Sequence, residues 1–310
     1  MNRFAEWALR TPWTGMVAGA MVSTLACLAL PLLAWLPGGL VVLACLAGGP
    51  AMGVWSASGA ALPIAWMFAP AMGWGGALLI AAMALVPALA AGVLLSRSRS
   101  LSFVFQAVTL SAAALVLLFR VGLGDPVSVL APLLEAMRPA FEEMAASMAG
   151  LGMGRSAEEL ATAVARMAWA TLAWLLLLTT LSSLFLGLWR FASLREPGLF
   201  GREFASLRLG NLIGWLAVAA LLLNVAAQLA GGGAWAPAED LLFVLSGAFL
   251  LQGLAIAHAL RSAQVAGPLL LTVAYLSIIV FPMLLVGLGL ADTWVRFRER
   301  FVNNTPSSTV

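Results

Sequence analysis

The sequence has no lysine, one histidine, one tyrosine and two cysteines, and only 9% of its 310 residues are charged. Each shortage excludes a class of chemistry. A single histidine, His258, excludes HExxH and every multi-histidine metal centre. Cys27 and Cys45 both lie in apolar runs and read as buried thiols, not as a disulfide or metal pair. No GxxxxGK[ST] run is present, so the chain does not hydrolyse ATP by that route. Aspartate and glutamate fall in loops or at the ends of apolar runs, so no mid-span acid–base pair forms a proton relay, and no dyad for intramembrane proteolysis stands out. The expectation is a protein that is not an enzyme and carries no cofactor. All 16 basic residues are arginine, which reads as codon bias toward G and C. They are spread over loop ends with no aromatic platform among them, so the net charge of +3 does not imply a nucleic-acid partner.

What is present is apolar. Hydrophobic residues make up 63% of the chain, whereas a soluble domain carries about 25% charged residues. The deficit follows if most residues face lipid or other apolar helices. The fold class expected is all-α, a polytopic transmembrane helix bundle of about eight to nine spans. The spacing predicts runs at about 13–33, 72–95, 101–121, 166–189, 211–230, 241–260 and 268–290, with two short segments at about 38–55 and 57–70. Either short segment could be re-entrant, because Pro50, Pro63, Pro70 and Pro87 break an almost uncharged stretch. The N-terminal Arg3 and Arg10 followed by an apolar run imitate a signal peptide, but the run exceeds an h-region of about 7–15 residues and reads as a retained anchor.

The whole of 1–310 reads as one integral membrane domain. Its parts are proline- and glycine-broken helices at 1–121, an acidic insertion at 122–163, C-terminal helices at 164–298 and a frayed tail at 299–310. In the insertion, Leu130, Leu133, Leu134, Met137, Phe141, Met144 and Met148 recur at helical spacing, which predicts an amphipathic helix on the membrane surface, kinked at Pro139. Gly150 to Gly154 reads as a hinge. Ser156 and Glu159 form a capping box that starts a helix running on into the span at 166–189. Arginine-bearing turns at 96–100, 190–208 and 261 fall on one side by alternation, and the acidic segments at 122–163 and 231–240 on the other. The bias places the arginine turns and the N-terminus in the cytoplasm. Nine crossings would put the C-terminus outside, against the preference of Arg296, Arg298 and Arg300.

Polar groups inside apolar runs are the candidate ligand-binding residues. They are Asn224 and Gln228, four apart on one helical face, and Gln252 and His258, about 120° apart in projection. The competing reading of the amides is interhelical glue. Gly15, Gly19 and Ser23 recur every fourth residue and form a small-residue strip for helix packing or for a partner.

Leu251-Gln252-Gly253-Leu254-Ala255-Ile256-Ala257-His258 and Gly287-Leu288-Gly289-Leu290-Ala291-Asp292-Thr293-Trp294, with Arg296-Phe297-Arg298 after it, are similar to segments of the YybS-like family of bacterial integral membrane proteins. The N-terminal half of that family is distantly similar to the substrate-capture (S) subunits of energy-coupling-factor transporters. The resemblance implies a solute-binding or transport-associated protein, with Gly15, Gly19 and Ser23 in the contact with a transmembrane coupling subunit. The alternative is a structural or assembly protein that binds another membrane protein through its small-residue faces.

Overall fold

A backbone surrounded by hydrocarbon has to satisfy its own hydrogen bonds, and helices do this locally. The computed structural model follows that rule: the described residues, 2–29, 35–150, 152, 154–231, 235–263, 267 and 269–302, contain helices and no strand. The expected first span runs into residues 30–34, which lie outside the described set, as do Leu151 and Met153 of the expected hinge, part of the 231–240 segment and the tail from 303. The chain divides into two compact units, Met1–Thr109 with Leu176–Gly214 and Gly247–Val310, and Leu110–Leu175 with Trp215–Ser246.

The N-terminal helices of the first unit are α1 (Asn2–Ala8), α2 (Pro12–Ala29), α3 (Trp35–Gly48) and α4 (Pro50–Ser98). The break expected near 55–57 is absent. The chain turns instead at Gly49, whose φ of 84° and ψ of 176° only glycine adopts readily, and Pro50 then opens α4. A second interruption falls at Gly73, with φ 71° and ψ 168°, so α4 consists of two apolar arms meeting at a kink. Close approach needs small residues here. A Cβ on Gly19 would overlap the Ser56 carbonyl, one on Gly59 would overlap the Met16 carbonyl, and one on Gly187 would overlap Val42. The strip Gly15, Gly19 and Ser23 is therefore covered by α4 of the same chain.

The next helices are α5 (Leu101–Leu123), α6 (Pro126–Val129), α7 (Ala131–Ala136), α8 (Arg138–Gly150), α9 (Ala157–Arg166), α10 (Ala168–Arg195), α11 (Leu199–Ala205), α12 (Gly210–Leu229) and α13 (Ala236–Ser262). The acidic insertion is helical but in pieces. Met137 ends α7, and Pro139 sits in the first turn of α8, where its missing N–H is harmless, so it starts a helix and does not kink one. Phe141 is buried while Leu133, Met137 and Met144 are exposed, which leaves part of the apolar face open. The capping box forms, Ser156 Oγ accepting from Glu159 N at 3.1 Å and Glu159 Oε2 accepting from Ser156 N at 3.0 Å. The helix it starts ends at Arg166, with Met167 between it and α10. In the second unit Arg120 Nε donates to Asp240 Oδ2 at 2.6 Å, Trp169 Nε1 donates to Gly124 O at 3.0 Å, and the Phe119 and Trp169 rings lie 5.6 Å apart.

The C-terminal helices of the first unit are α14 (Leu269–Val280), α15 (Pro282–Val295) and α16 (Phe297–Val302). Pro282 forces Phe281 out of the helical region, to φ −139° and ψ 60°, and α14 meets α15 at a bend of 115°. This pair is not a straight ninth crossing. The end of α13, at Ser262 and Ala263, and Arg298 and Glu299 of α16 border one cavity, so the chain enters and leaves the bent pair at the same level. α16 lies beside the arginine connector at 190–208: Arg298 Nη1 donates to Ala205 O and Arg208 Nη1 to Glu299 Oε1, both at 2.8 Å.

Among the described residues, five helices are long and apolar enough to cross a membrane, or six if the bent pair is one span, and α2 and α3 are shorter apolar helices. Large apolar side chains stand exposed along them, Leu28 at 80%, Trp66 at 74% and Ile279 at 82%. Helices of this length and composition, apolar on their outer faces, make this a multi-pass membrane protein in contact with a lipid bilayer.

Candidate functional site

The kink in α4 has a consequence for the surface beside it. Pro70 has no N–H, so the Trp66 carbonyl loses the donor that a regular helix would supply. Pro63 does the same to Gly59 about two turns earlier. Gly73 then redirects the second arm, and Trp66 and Trp74 meet edge to face at 6.1 Å between centroids. Between these arms and the last turns of α2 lies a cleft of about 670 Å³, lined by Thr24, Cys27, Pro63, Trp66, Trp74 and aliphatic neighbours. That volume suits a small-molecule ligand. Polar groups are few: the Thr24 hydroxyl donates to Ala20 O at 2.8 Å, and the Cys27 thiol is free and half-buried. Such a site selects by shape and by stacking on indole faces.

Of the four polar candidates, Gln252 and His258 belong to the first unit and Asn224 and Gln228 to the second. Gln252, 1% exposed, is fully engaged: its Oε1 accepts from Leu209 N at 2.7 Å and its Nε2 donates to Gly289 O at 2.8 Å. It holds the start of α12 and the middle of α15 to α13, where Gly253 and Gly289 let the helix backbones touch. His258 Nε2 lies 3.0 Å from the Tyr275 hydroxyl, and its ring stands edge-on to Phe204 at 5.3 Å. Asn224 belongs to the second unit, where its Oδ1 accepts from Trp235 N at 3.0 Å, and Gln228, a turn away, is exposed. Among the described residues no three histidine, cysteine, aspartate or glutamate side chains come together as metal ligands.

The candidate residues named from the sequence include none from two features. One is the α2–α4 cleft: the broken N-terminal helices suggest a ligand between them, but the candidates do not include the lining residues around Pro70, Gly73 and the tryptophans on either side. The other is a buried ion pair, Asp292 Oδ2 to Arg298 Nη2 at 2.6 Å, with Arg298 Nη1 donating to Ala205 O at 2.8 Å. The left-handed backbone of Arg296, φ 53°, turns α16 back to form it. Burial pulls the Arg298 guanidinium below its ordinary pKa, and Asp292 opposes that by holding its proton. The signal in the sequence was an aspartate closing an apolar run six residues before an arginine. No family model, curated protein or solved structure matches the chain.

Proposed function

We propose that this protein is a solute-binding or transport-associated protein of the bacterial inner membrane, without catalytic activity of its own, that holds an apolar or aromatic solute in the cleft between α2 and the two arms of α4. The observation that carries the reading is the cleft at the kink, where Pro63, Pro70 and Gly73 interrupt the helix. Broken backbone in a membrane protein is tolerated where it lines a cavity, as it does in transporter sites. The likeness to YybS-like proteins and to S subunits points the same way. A membrane coupling subunit as partner belongs to this proposal, docked away from Gly15, Gly19 and Ser23, which α4 covers, and so does a cytoplasmic N-terminus. So does the count of crossings: α2, α3, each arm of α4, α5, α10, α12 and α13 make eight, with α14 and α15 re-entrant.

The assembly reading has less support, because the strip Gly15, Gly19 and Ser23 through which a partner would dock is packed on α4. The test is thermal unfolding of the purified protein against a panel of vitamins, nucleobases and lipids, with tryptophan emission read alongside. An apolar or aromatic compound is expected to raise the midpoint and quench emission, and Trp66→Ala or Trp74→Ala to weaken it about tenfold. A panel without any shift would remove the reading.

A further inference from the structure

A second cavity, of about 570 Å³, lies in the first unit at the arginine connector. Arg202, Arg208 and Arg298 line it against one carboxylate, Glu299, with Ser206 and Ser262 beside them. Its walls are the ends of apolar helices: the connector between α10 and α12, the last turn of α13, and α16 beyond the bent pair. At that level of a membrane protein the surrounding anions are phosphates.

The arginines are held in place with donors to spare. Arg208 N donates to Ser102 Oγ at 3.2 Å, and its carbonyl accepts from Gln106 Nε2 at 3.0 Å, so its backbone is bolted to the first turns of α5. Its guanidinium gives Nη1 to Glu299 at 2.8 Å. Arg202 gives Nη2 to Glu196 at 2.5 Å. Each guanidinium has five donors, so most remain open on both. Arg298, 6% exposed, has its charge met by Asp292, but its Nε has no partner, an unmet donor stripped of water. Idle planar donors are what a tetrahedral oxyanion satisfies, and arginine meets it two bonds at a time.

We infer that this cavity binds a phosphate-bearing anion, held by the open donors of Arg202 and Arg208 beside the unpartnered Nε of Arg298, with Glu196 on Arg202 and Glu299 on Arg208 as the competitors when the site is empty. The source of the phosphate is either the headgroup of an anionic lipid or a free phosphate, and the two separate experimentally. The purified full-length protein in neutral detergent is offered phosphatidylglycerol or phosphatidylcholine, with bound lipid read by native mass spectrometry. In parallel its thermal midpoint is read with inorganic phosphate against chloride at equal ionic strength. A lipid source gives about tenfold more phosphatidylglycerol than phosphatidylcholine bound, and a free source gives a rise in midpoint with inorganic phosphate. In either case Arg202→Gln with Arg208→Gln abolishes the preference, while Arg138→Gln, an exposed arginine elsewhere, leaves it. Glu299→Gln removes one competitor without touching an arginine and is expected to strengthen binding. Absence of both preferences, their survival in the double variant, or weaker binding by Glu299→Gln would each overturn the inference.

Discussion

Buried polar side chains in this protein fall into two kinds, and mutation separates them. Gln252 satisfies two backbone groups that water cannot reach, so removing it strands the Leu209 amide and the Gly289 carbonyl. Gln252→Met, close in volume, is expected to cost about 1–3 kcal/mol, read as a lower thermal midpoint in detergent. Ser23 and Ser56 are the converse. Both are 0% exposed, and neither hydroxyl has a partner. Ser23→Ala removes an unmet polar group from the α2–α4 contact and is expected to match or exceed the parent midpoint. A drop of more than about 1 kcal/mol would show that the hydroxyl serves a ligand or partner. Residue type alone hinted at these roles. An amide in an apolar run is glue or ligand, and only the neighbours of Gln252 decide which. The pairing of the sole histidine with the sole tyrosine was illegible for the same reason, since α13 and α14 bring them together and no local spacing does.

Helices were legible where their causes are local and illegible where the causes compete. The capping box at Ser156 starts α9, because hydroxyl, amide and carboxylate are all within one turn. The division of α4 was misplaced, because four prolines offered four breaks and the sequence does not rank them. Glycine decides: Pro63 and Pro87 stay inside the helix, and the chain turns where Gly49 and Gly73 supply backbone angles closed to other residues. Gly73→Ala is therefore expected to cost about 1–3 kcal/mol although nothing lies within 4 Å of the added carbon. The strain is in the backbone, so the variant also straightens the arms and opens the Trp66–Trp74 contact. A red shift in tryptophan emission together with the lowered midpoint checks this; an unchanged spectrum at full stability would show that the kink does not need glycine.

At the scale of the whole molecule, ion pairs gather at the ends of the apolar helices. In the first unit Glu299 accepts from Arg208, and that bond holds its carboxyl below the ordinary range, with Arg296 adding to the effect. A carboxyl whose pKa is depressed by folding contributes stability above its unfolded value, near 4.5, and loses it as pH falls through the folded value. The difference in midpoint between the parent and Glu299→Gln, without added anion, is thus expected to be constant from about pH 7 to pH 5 and to shrink below about 4.5. In the second unit Asp240 is buried against Arg120, and Asp240→Ala leaves a half-buried guanidinium facing only Asp125 at 3.5 Å and the Arg166 carbonyl. The expected loss is about 3 kcal/mol, measured by thermal or denaturant unfolding.

The arginine turns at 97–99, 190–208 and 261 all belong to the first unit, and the acidic insertion belongs to the second. Alternation of spans between them predicts opposite sides of the membrane. That expectation needs only charges and run lengths. The fate of the C-terminus was not legible in the sequence, because a bend of 115° at Phe281 decides whether an apolar run of crossing length crosses. A re-entrant α14–α15 returns Arg296 and Arg298 to the side of Arg261, and the tail then ceases to be an exception to the charge rule. In a background with Cys27→Ala and Cys45→Ala, single cysteines at the exposed positions Ser147 and Ser206 report the two sides. Ser147→Cys is expected to react with an impermeant thiol reagent on intact cells, and Ser206→Cys only after the membrane is opened. A cysteine replacing Arg296, exposed beside Glu299, should follow Ser206→Cys. If it reacts on intact cells instead, the bent pair crosses after all, and α16 cannot sit on the connector as the Arg208–Glu299 bond requires.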